Sequence, residues 1–368
     1  MGWSRSLRFA PAAVALAFIA VVGACTGDDD DAEPAPDPSA TASVPASTTT
    51  AAPTTTTAPP EPIVTLHVDD KADEDGAGTE DDPLPSVQEA LDLAGPGTLI
   101  RIEPGTYHET LRTVRDGSPE APIRLVGDDA KIDGDGGGRL VHIRHDHIRL
   151  ENLDLGDAGI VVLVEGATDV QLRGNRVHDA AGECIRIRQE SADVVVAANV
   201  VEGCGLSDFD LDDDEKNGEG IYVGTAPEQT DGERDGTART VVVDNRIEAP
   251  AECVDVKEGA VDTLVEHNFC TGSQDPIGGG LSSRGIGTVF RANISTANDG
   301  SGIVLTGDTD ADGTGTVVVD NVLVGNDGWG IKVVNGPQEL LCGNRLTFNA
   351  EGPTTNRGRG AGDPCPAE

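Results

Sequence analysis

One residue type returns at nearly fixed intervals along most of this chain. Asn152, Asn175, Asn199, Asn245, Asn268, Asn293, Asn321 and Asn344 are separated by steps of 23, 24, 46, 23, 25, 28 and 23 residues. Each follows a short, mostly Val-rich run such as VVVAAN, VVVDN or TVFRAN. A second short run lies further upstream, usually opened by Gly or Cys: CIRIR, GIYVG, CVDVK, GLSSR, GIVLT, GIKVV. A period of 20 to 50 residues marks a solenoid, and short β-runs without a helical stretch mark a parallel β-helix. One coil cannot bury its apolar face alone, whereas stacked coils share a continuous core. Asparagines at equivalent turns are expected to stack, each amide bonding the next. A leucine-rich repeat has a similar period and an Asn, but here Val and Ile dominate and each repeat carries two β-runs. The expected fold is therefore all-β.

The N-terminus reads differently. Arg5 and Arg8 precede a short apolar run from Pro11 to Val22, too short to span a bilayer comfortably. It ends in Val22-Gly23-Ala24-Cys25, which resembles a bacterial lipobox and implies cleavage before Cys25 and lipidation of that residue. Residues 1–24 are thus expected to be an export signal. Residues 25–61, rich in Asp, Ala, Pro, Ser and Thr, are expected to be a disordered tether. Residues 62–368 form the folded domain. The expectation is an exported, monomeric protein held by lipid to the outer face of a bacterial cell membrane. The net charge of −39, from 65 acidic and 26 basic residues, argues against nucleic acid as a partner.

Beyond Cys25 the chain has six cysteines, an even number suited to an oxidising compartment. Cys342 and Cys365 are placed to staple the C-terminal end. Cys184 and Cys253 share a column but have the Gly220 coil between them, too far apart to bond, and read as buried free thiols.

Residues 86–94 read as a short helix with Ser86 and Glu89 as a capping box, covering the open end of the solenoid. Insertions at 205–218, 226–238 and 307–315 are expected in loops on one face, often the binding face. The stretch GTEDDPLPSVQEALDLAGPGTLIRIEPGTYHETL, together with the repeats over residues ~66–349, resembles the pectin-lyase-like right-handed β-helix proteins. That resemblance implies the right-handed coil and leaves activity open, because one fold hosts many chemistries.

Aligned on the Gly or Cys, the upstream runs alternate inward and outward. The first outward column holds Glu183, Glu219, Glu252, Gly279, Ser301 and Trp329; the middle holds Arg186, Tyr222, Asp255, Ser282, Val304 and Lys332; the last holds Arg188, Gly224, Lys257, Arg284, Thr306 and Val334. Adjacent glutamates repel, so flanking cations or a bound metal should compensate them. The alternative is a solvated surface. The segment ECVDVKEG, followed by GGGLSSRG, resembles the chondroitinase-B and alginate-lyase-like polysaccharide lyases in its order Glu252, Lys257, Arg284. The resemblance implies a Ca²⁺-binding Glu, a Lys general base and an Arg that assists proton transfer. The chain departs from that family at Pro250, where another acidic ligand is usual, and at Gly285, where a His is usual.

β-Elimination from a uronate polysaccharide needs carboxylate neutralisation, a base and an acid. Ca²⁺ on Glu219, Glu252 and Asp255 suits the first. Lys257 suits the second if Arg284, Arg188 and the metal depress its pKa. Tyr222 is a candidate acid, and Arg186, Arg188, Lys332 and Trp329 are candidate substrate contacts. Asp308, Asp310 and Asp312 alternate as in the first half of a Ca²⁺ loop, although Val319 at its twelfth position excludes an EF-hand. A glycoside hydrolase or epimerase, and a non-catalytic glycan-binding protein, are the other function classes; the 3% aromatic content gives little support to a sugar-stacking stripe.

Overall fold

The structure is a computed structural model that describes residues 62–213 and 215–366; these lie in the compact unit Ala58–Glu368. The expected signal, the tether and the lipidation site Cys25 fall outside the described residues. The described chain winds as a solenoid with two stacked parallel sheets, one of nineteen strands and one of ten. The ten-stranded sheet runs coil by coil through β1 (Leu111–Arg112), β2 (Arg139–Ile143), β3 (Ile160–Glu165), β4 (Ile185–Arg188), β5 (Ile221–Val223), β6 (Val254–Val256), β7 (Gly279–Ser283), β8 (Ser301–Leu305), β9 (Trp329–Val333) and β10 (Gly352–Thr354).

Register in this sheet follows the repeat. Arg186 pairs with Tyr222, Tyr222 with Asp255, Asp255 with Ser282, Ser282 with Val304 and Val304 with Lys332. The middle outward column is therefore a continuous row. The alternating inward residues, from Ile185 and Ile187 through Ile331, form the buried core. The one polar inward residue, Ser283, hydroxyl-bonds Thr288 at 2.8 Å.

The asparagines form the expected ladder from Asn175 to Asn344. Each backbone N–H donates to the next asparagine's Oδ1 at 2.9–3.0 Å, and each side-chain amide donates to that same oxygen. The amide's second hydrogen goes to a main-chain carbonyl, as from Asn245 to Val196 and from Asn268 to Val242. Asn152 is not a member. It is exposed, in the left-handed backbone region at φ 56°, and the N–H of Leu153 takes its place on Asn175 Oδ1. A second ladder of Asn298, Asn326 and Asn349 runs beside the first. Its members sit five residues after Asn293, Asn321 and Asn344, so the same periodicity contained it.

The helix α1 (Val87–Leu93) buries Val87, Ala90 and Leu91. Ser86 Oγ accepts from the N–H of Glu89, as a capping box requires. The other half of the cap comes from elsewhere: Glu109 accepts from Ser86 Oγ and from the N–H groups of Val87 and Gln88. A carboxylate at a helix N-terminus satisfies orphan donors and opposes the dipole.

The cysteine expectation holds at one end and fails in the middle. Cys342 bonds Cys365. Cys184 and Cys253 are not free thiols: they bond Cys204 and Cys270, with Cα separations of 5.4 and 5.8 Å. The distance argument excluded only a bond between these two members of one column, which lie two coils apart. Each cysteine instead closes most of one turn, where the chain returns after 20 or 17 residues.

The ladder's share of stability is measurable. Asn268→Ala strips buried partners from Asn245 and Val242 and should lower unfolding free energy by about 3 kcal/mol. Asn152→Gly, at an exposed left-handed position, should change it by less than ~0.5 kcal/mol. Urea unfolding of both variants checks the contrast, and equal losses would contradict the assignment of the ladder.

Candidate functional site

The outward face of β5, β6 and β7 is not the solvated surface of the alternative reading. The insertions rise over it and leave a cleft of about 410 Å³ lined by Glu219, Tyr222, Glu252, Lys257 and Arg284, among others. Residues 205–218 include an antiparallel hairpin, Phe209–Asp210 with Glu215–Lys216, and Lys216 reaches Asp275 at 3.2 Å. Residues 226–238 carry the turn Pro227–Gln229, whose Gln229 also lines the cleft.

At its base, Asp255 is fully buried and meets Lys257 Nζ at 2.6 Å. Neither Asp255 oxygen accepts a hydrogen bond of ordinary geometry. Glu219 and Glu252 stand one coil apart in the neighbouring column. Oxygens of Glu219, Glu252 and Asp255 lie within 4.8 Å of one another, the one such acidic, His or Cys group among the described residues. Three carboxyl groups this close cannot all ionise without a counter-charge. Burial, opposed by Lys257 and reinforced by Asp255 and Glu183, pushes Glu219 up to about 7. Burial, reinforced by Asp255 and opposed by Lys257, pushes Glu252 up to about 8. Burial would also raise Asp255, but Lys257 and then Arg284 more than offset it, and this carboxyl stays below its ordinary range. The cluster fits a hard divalent cation: an all-oxygen donor set of three converging carboxyl groups suits Ca²⁺.

The cations correct one expectation. Burial would lower the pKa of Lys257, but Asp255, followed by Tyr222, outweighs it and holds the ammonium above its ordinary range. Lys257 is thus protonated as it stands here. Arg188, expected to help depress it, is engaged elsewhere, on Glu165 at 2.6 Å, where His142 also bonds at 3.0 Å. Lys257 Nζ lies 5.0 Å from the centroid of the Tyr222 ring and Arg186 lies 4.7 Å from it. Burial raises the Tyr222 pKa, keeping it a neutral phenol. Arg284 stands beside Glu258 at 3.8 Å. Glu258 escaped the sequence reading. It is buried, its oxygens lack hydrogen-bond partners, and burial raises its pKa. Its position directly after Lys257 was the available signal.

The two departures at Pro250 and Gly285 have local causes. Any Cβ at Gly285 would lie 2.8 Å from both Ala260 O and Val256 Cγ1, so no histidine fits. Pro250 packs against Gly205 and Gly218, the neck of the first insertion, at 3.0 Å from a Cβ placed on either.

Other predicted site residues disperse. Arg186 is buried against Glu183 and Gln229. Lys332 lines the cleft and donates to Ile277 O at 3.3 Å, whereas half-buried Trp329 lies outside its lining. Asp308, Asp310 and Asp312 do not converge. The first two are exposed, while Asp312 accepts from Thr309 and pairs with Arg234 at 3.6 Å. Asp312 thus divides its two oxygens between its own turn and the neighbouring insertion.

Residues 158–349, just over half of the chain, match the right-handed β-helix region family. No curated protein matches by sequence. In three dimensions the chain resembles an alginate lyase from Paenibacillus sp. str. FPU-7, at a TM-score of 0.65 and 22% identity, over 74% of this chain and 95% of that one. It also resembles pectate lyase Pel9A, at a TM-score of 0.60 and 14% identity, over 82% of each. At these identities the likeness establishes the fold.

The raised carboxyl groups fix a sign. Glu219 and Glu252 keep their protons in the folded state up to about pH 7 and 8, whereas the unfolded chain releases them near 4.5. The folded state therefore holds more protons across that window, and their contribution to stability falls as pH rises through it. In chelator, the melting temperature of wild type should fall between pH 5 and 8 relative to that of the Glu219→Gln/Glu252→Gln variant. Ca²⁺ should raise the wild-type value most at pH 8, where protons compete least. Parallel pH curves for the two proteins, or a Ca²⁺ shift independent of pH, would contradict this electrostatic picture.

Proposed function

The chain belongs to the right-handed β-helix family, and on that footing we propose that it is a polysaccharide lyase that cleaves a uronate-containing glycan by β-elimination in the cleft around Lys257. The observation that carries this reading is the convergence of a buried Lys257–Asp255 pair, the carboxyl cluster and Arg284 in one cleft. Ca²⁺ held by Glu219, Glu252 and Asp255 would neutralise the uronate carboxylate and take up the acidic charge that keeps Lys257 protonated. Burial and Arg284 both favour the neutral amine of Lys257, and the charge of Asp255 opposes them. Lys257 then removes the proton at C5. The C–H electron pair becomes the C4–C5 double bond and the C4–O4 bond breaks. Tyr222, neutral and in the same cleft, gives its proton to O4. Arg284 balances the negative charge that builds on the carboxylate during proton removal. Glu258 positions Arg284 without touching substrate. Three disulfides suit an oxidising compartment, in keeping with export and a lipid anchor on Cys25.

The test is incubation of the purified chain with Ca²⁺ and a panel of uronate polymers, alginate and pectate included. The expected product absorbs in the ultraviolet through its new conjugated double bond. Lys257→Ala should lower its rate of formation about 10²–10⁴-fold, with folding verified by the melting temperature. New reducing ends without the unsaturated product would assign hydrolysis instead. No change in any polymer would leave a glycan-binding protein.

A further inference from the structure

The cleft has unequal ends along the solenoid axis. On the side of β4 it meets a wall. Arg186 is only 7% exposed although its side chain points outward. One guanidinium nitrogen donates to Glu183 Oε1 at 2.9 Å and another to Gln229 Oε1 at 2.6 Å, and the group lies over the Tyr222 ring. One coil further on, the outward residue Leu163 is fully covered. A glycan lying on the sheet cannot continue across this stretch without displacing a desolvated, ion-paired arginine.

The wall is fastened at the C-terminal end of its insertion, residues 234–237. Asp235 is buried, and its Oδ2 accepts from the N–H of Gln189 at 2.9 Å. Its other oxygen accepts from the N–H of Thr237 at 3.1 Å and from the Thr237 hydroxyl. Arg234 reaches across to Asp312 in the insertion 307–315 at 3.6 Å.

Among the described residues the opposite end has no comparable structure. Thr306, Lys332 and Val334 border it. Val334 is exposed, and Lys332 crosses to Ile277 O as one partly exposed side chain held by a single 3.3 Å hydrogen bond. Displacing one such contact costs little compared with opening the buried pair.

We infer that the cleft is blind on the β4 side, so that it admits the end of a glycan chain from the β9 side and acts on chain termini or short oligosaccharides. Gln229 and Arg186 are the specificity-determining stop. The inference rests on the glycan reading above and adds the mode of attack to it.

The test uses the full chain with Ca²⁺ and alginate-derived hexasaccharides in three forms: unmodified, carrying a bulky fluorophore at the reducing end, and carrying a bulky cap at the non-reducing end. Binding is read by calorimetry and products by mass spectrometry. A blind cleft predicts that blocking one terminus weakens binding by about tenfold or more, whereas blocking the other changes it less than about twofold. If both blocked forms bind as well as the unmodified sugar, the cleft is a through-groove and the inference falls. If neither blocked form binds, the cleft is closed at both ends and the inference also falls. If no form binds, it falls together with the glycan reading. Asymmetric binding without any unsaturated product would uphold the blind cleft while removing the lyase chemistry. Where cleavage occurs, the polymer should release one short product length from the first time point; an early ladder of lengths would again overturn the inference.

Discussion

Every functional group in this molecule owes its position to the bond between one coil and the next. Parallel strands stack at a spacing of about 4.8 Å, and the asparagine ladder repeats that spacing inside the turns through paired donors on a single oxygen. Each asparagine pins its neighbour's backbone and side chain together. A coil can therefore neither slip nor rotate without losing several buried hydrogen bonds at once. Because the outward residues ride on strands held in this way, Tyr222, Asp255 and Ser282 stand in register on successive coils.

This explains which parts of the molecule were legible in the sequence. The columns of outward residues followed from strand alternation and a fixed period, and the pairing agrees with them residue by residue. The two internal disulfides were hidden because their partners meet after most of a turn, a path length that the period does not encode. The charge state of Lys257 was hidden for a related reason. It is a balance between Asp255, 2.6 Å away, which holds the ammonium, and burial, which opposes it; that burial comes from insertions that have no repeat. Asn152 shows the reverse error: the period carried its sequence pattern one coil beyond the place where the ladder begins.

The site concentrates incompatible charges. Glu219, Glu252, Asp255 and Glu258 crowd around Lys257 and Arg284 in an interior that disfavours ionisation of them all. Of the four, Asp255 alone is held below its ordinary range, by Lys257 and then Arg284 against its burial. Such an arrangement is a poor choice for stability, since apolar residues could fill the same coils. Perturbed groups gathered in a cleft are instead the usual mark of chemistry.

The coil between Asn199 and Asn245 spends 46 residues where the steps on either side take 24 and 23, yet its ladder bond is 2.9 Å like the others. The core does not register the additional chain. Roof and foundation are in that sense separate modules. Evolution can lengthen, shorten or exchange the turns above the cleft, and so redesign which substrates enter, without disturbing the coordinates of the reacting groups below. The same separation would let an engineer graft a new entrance onto an old chemistry.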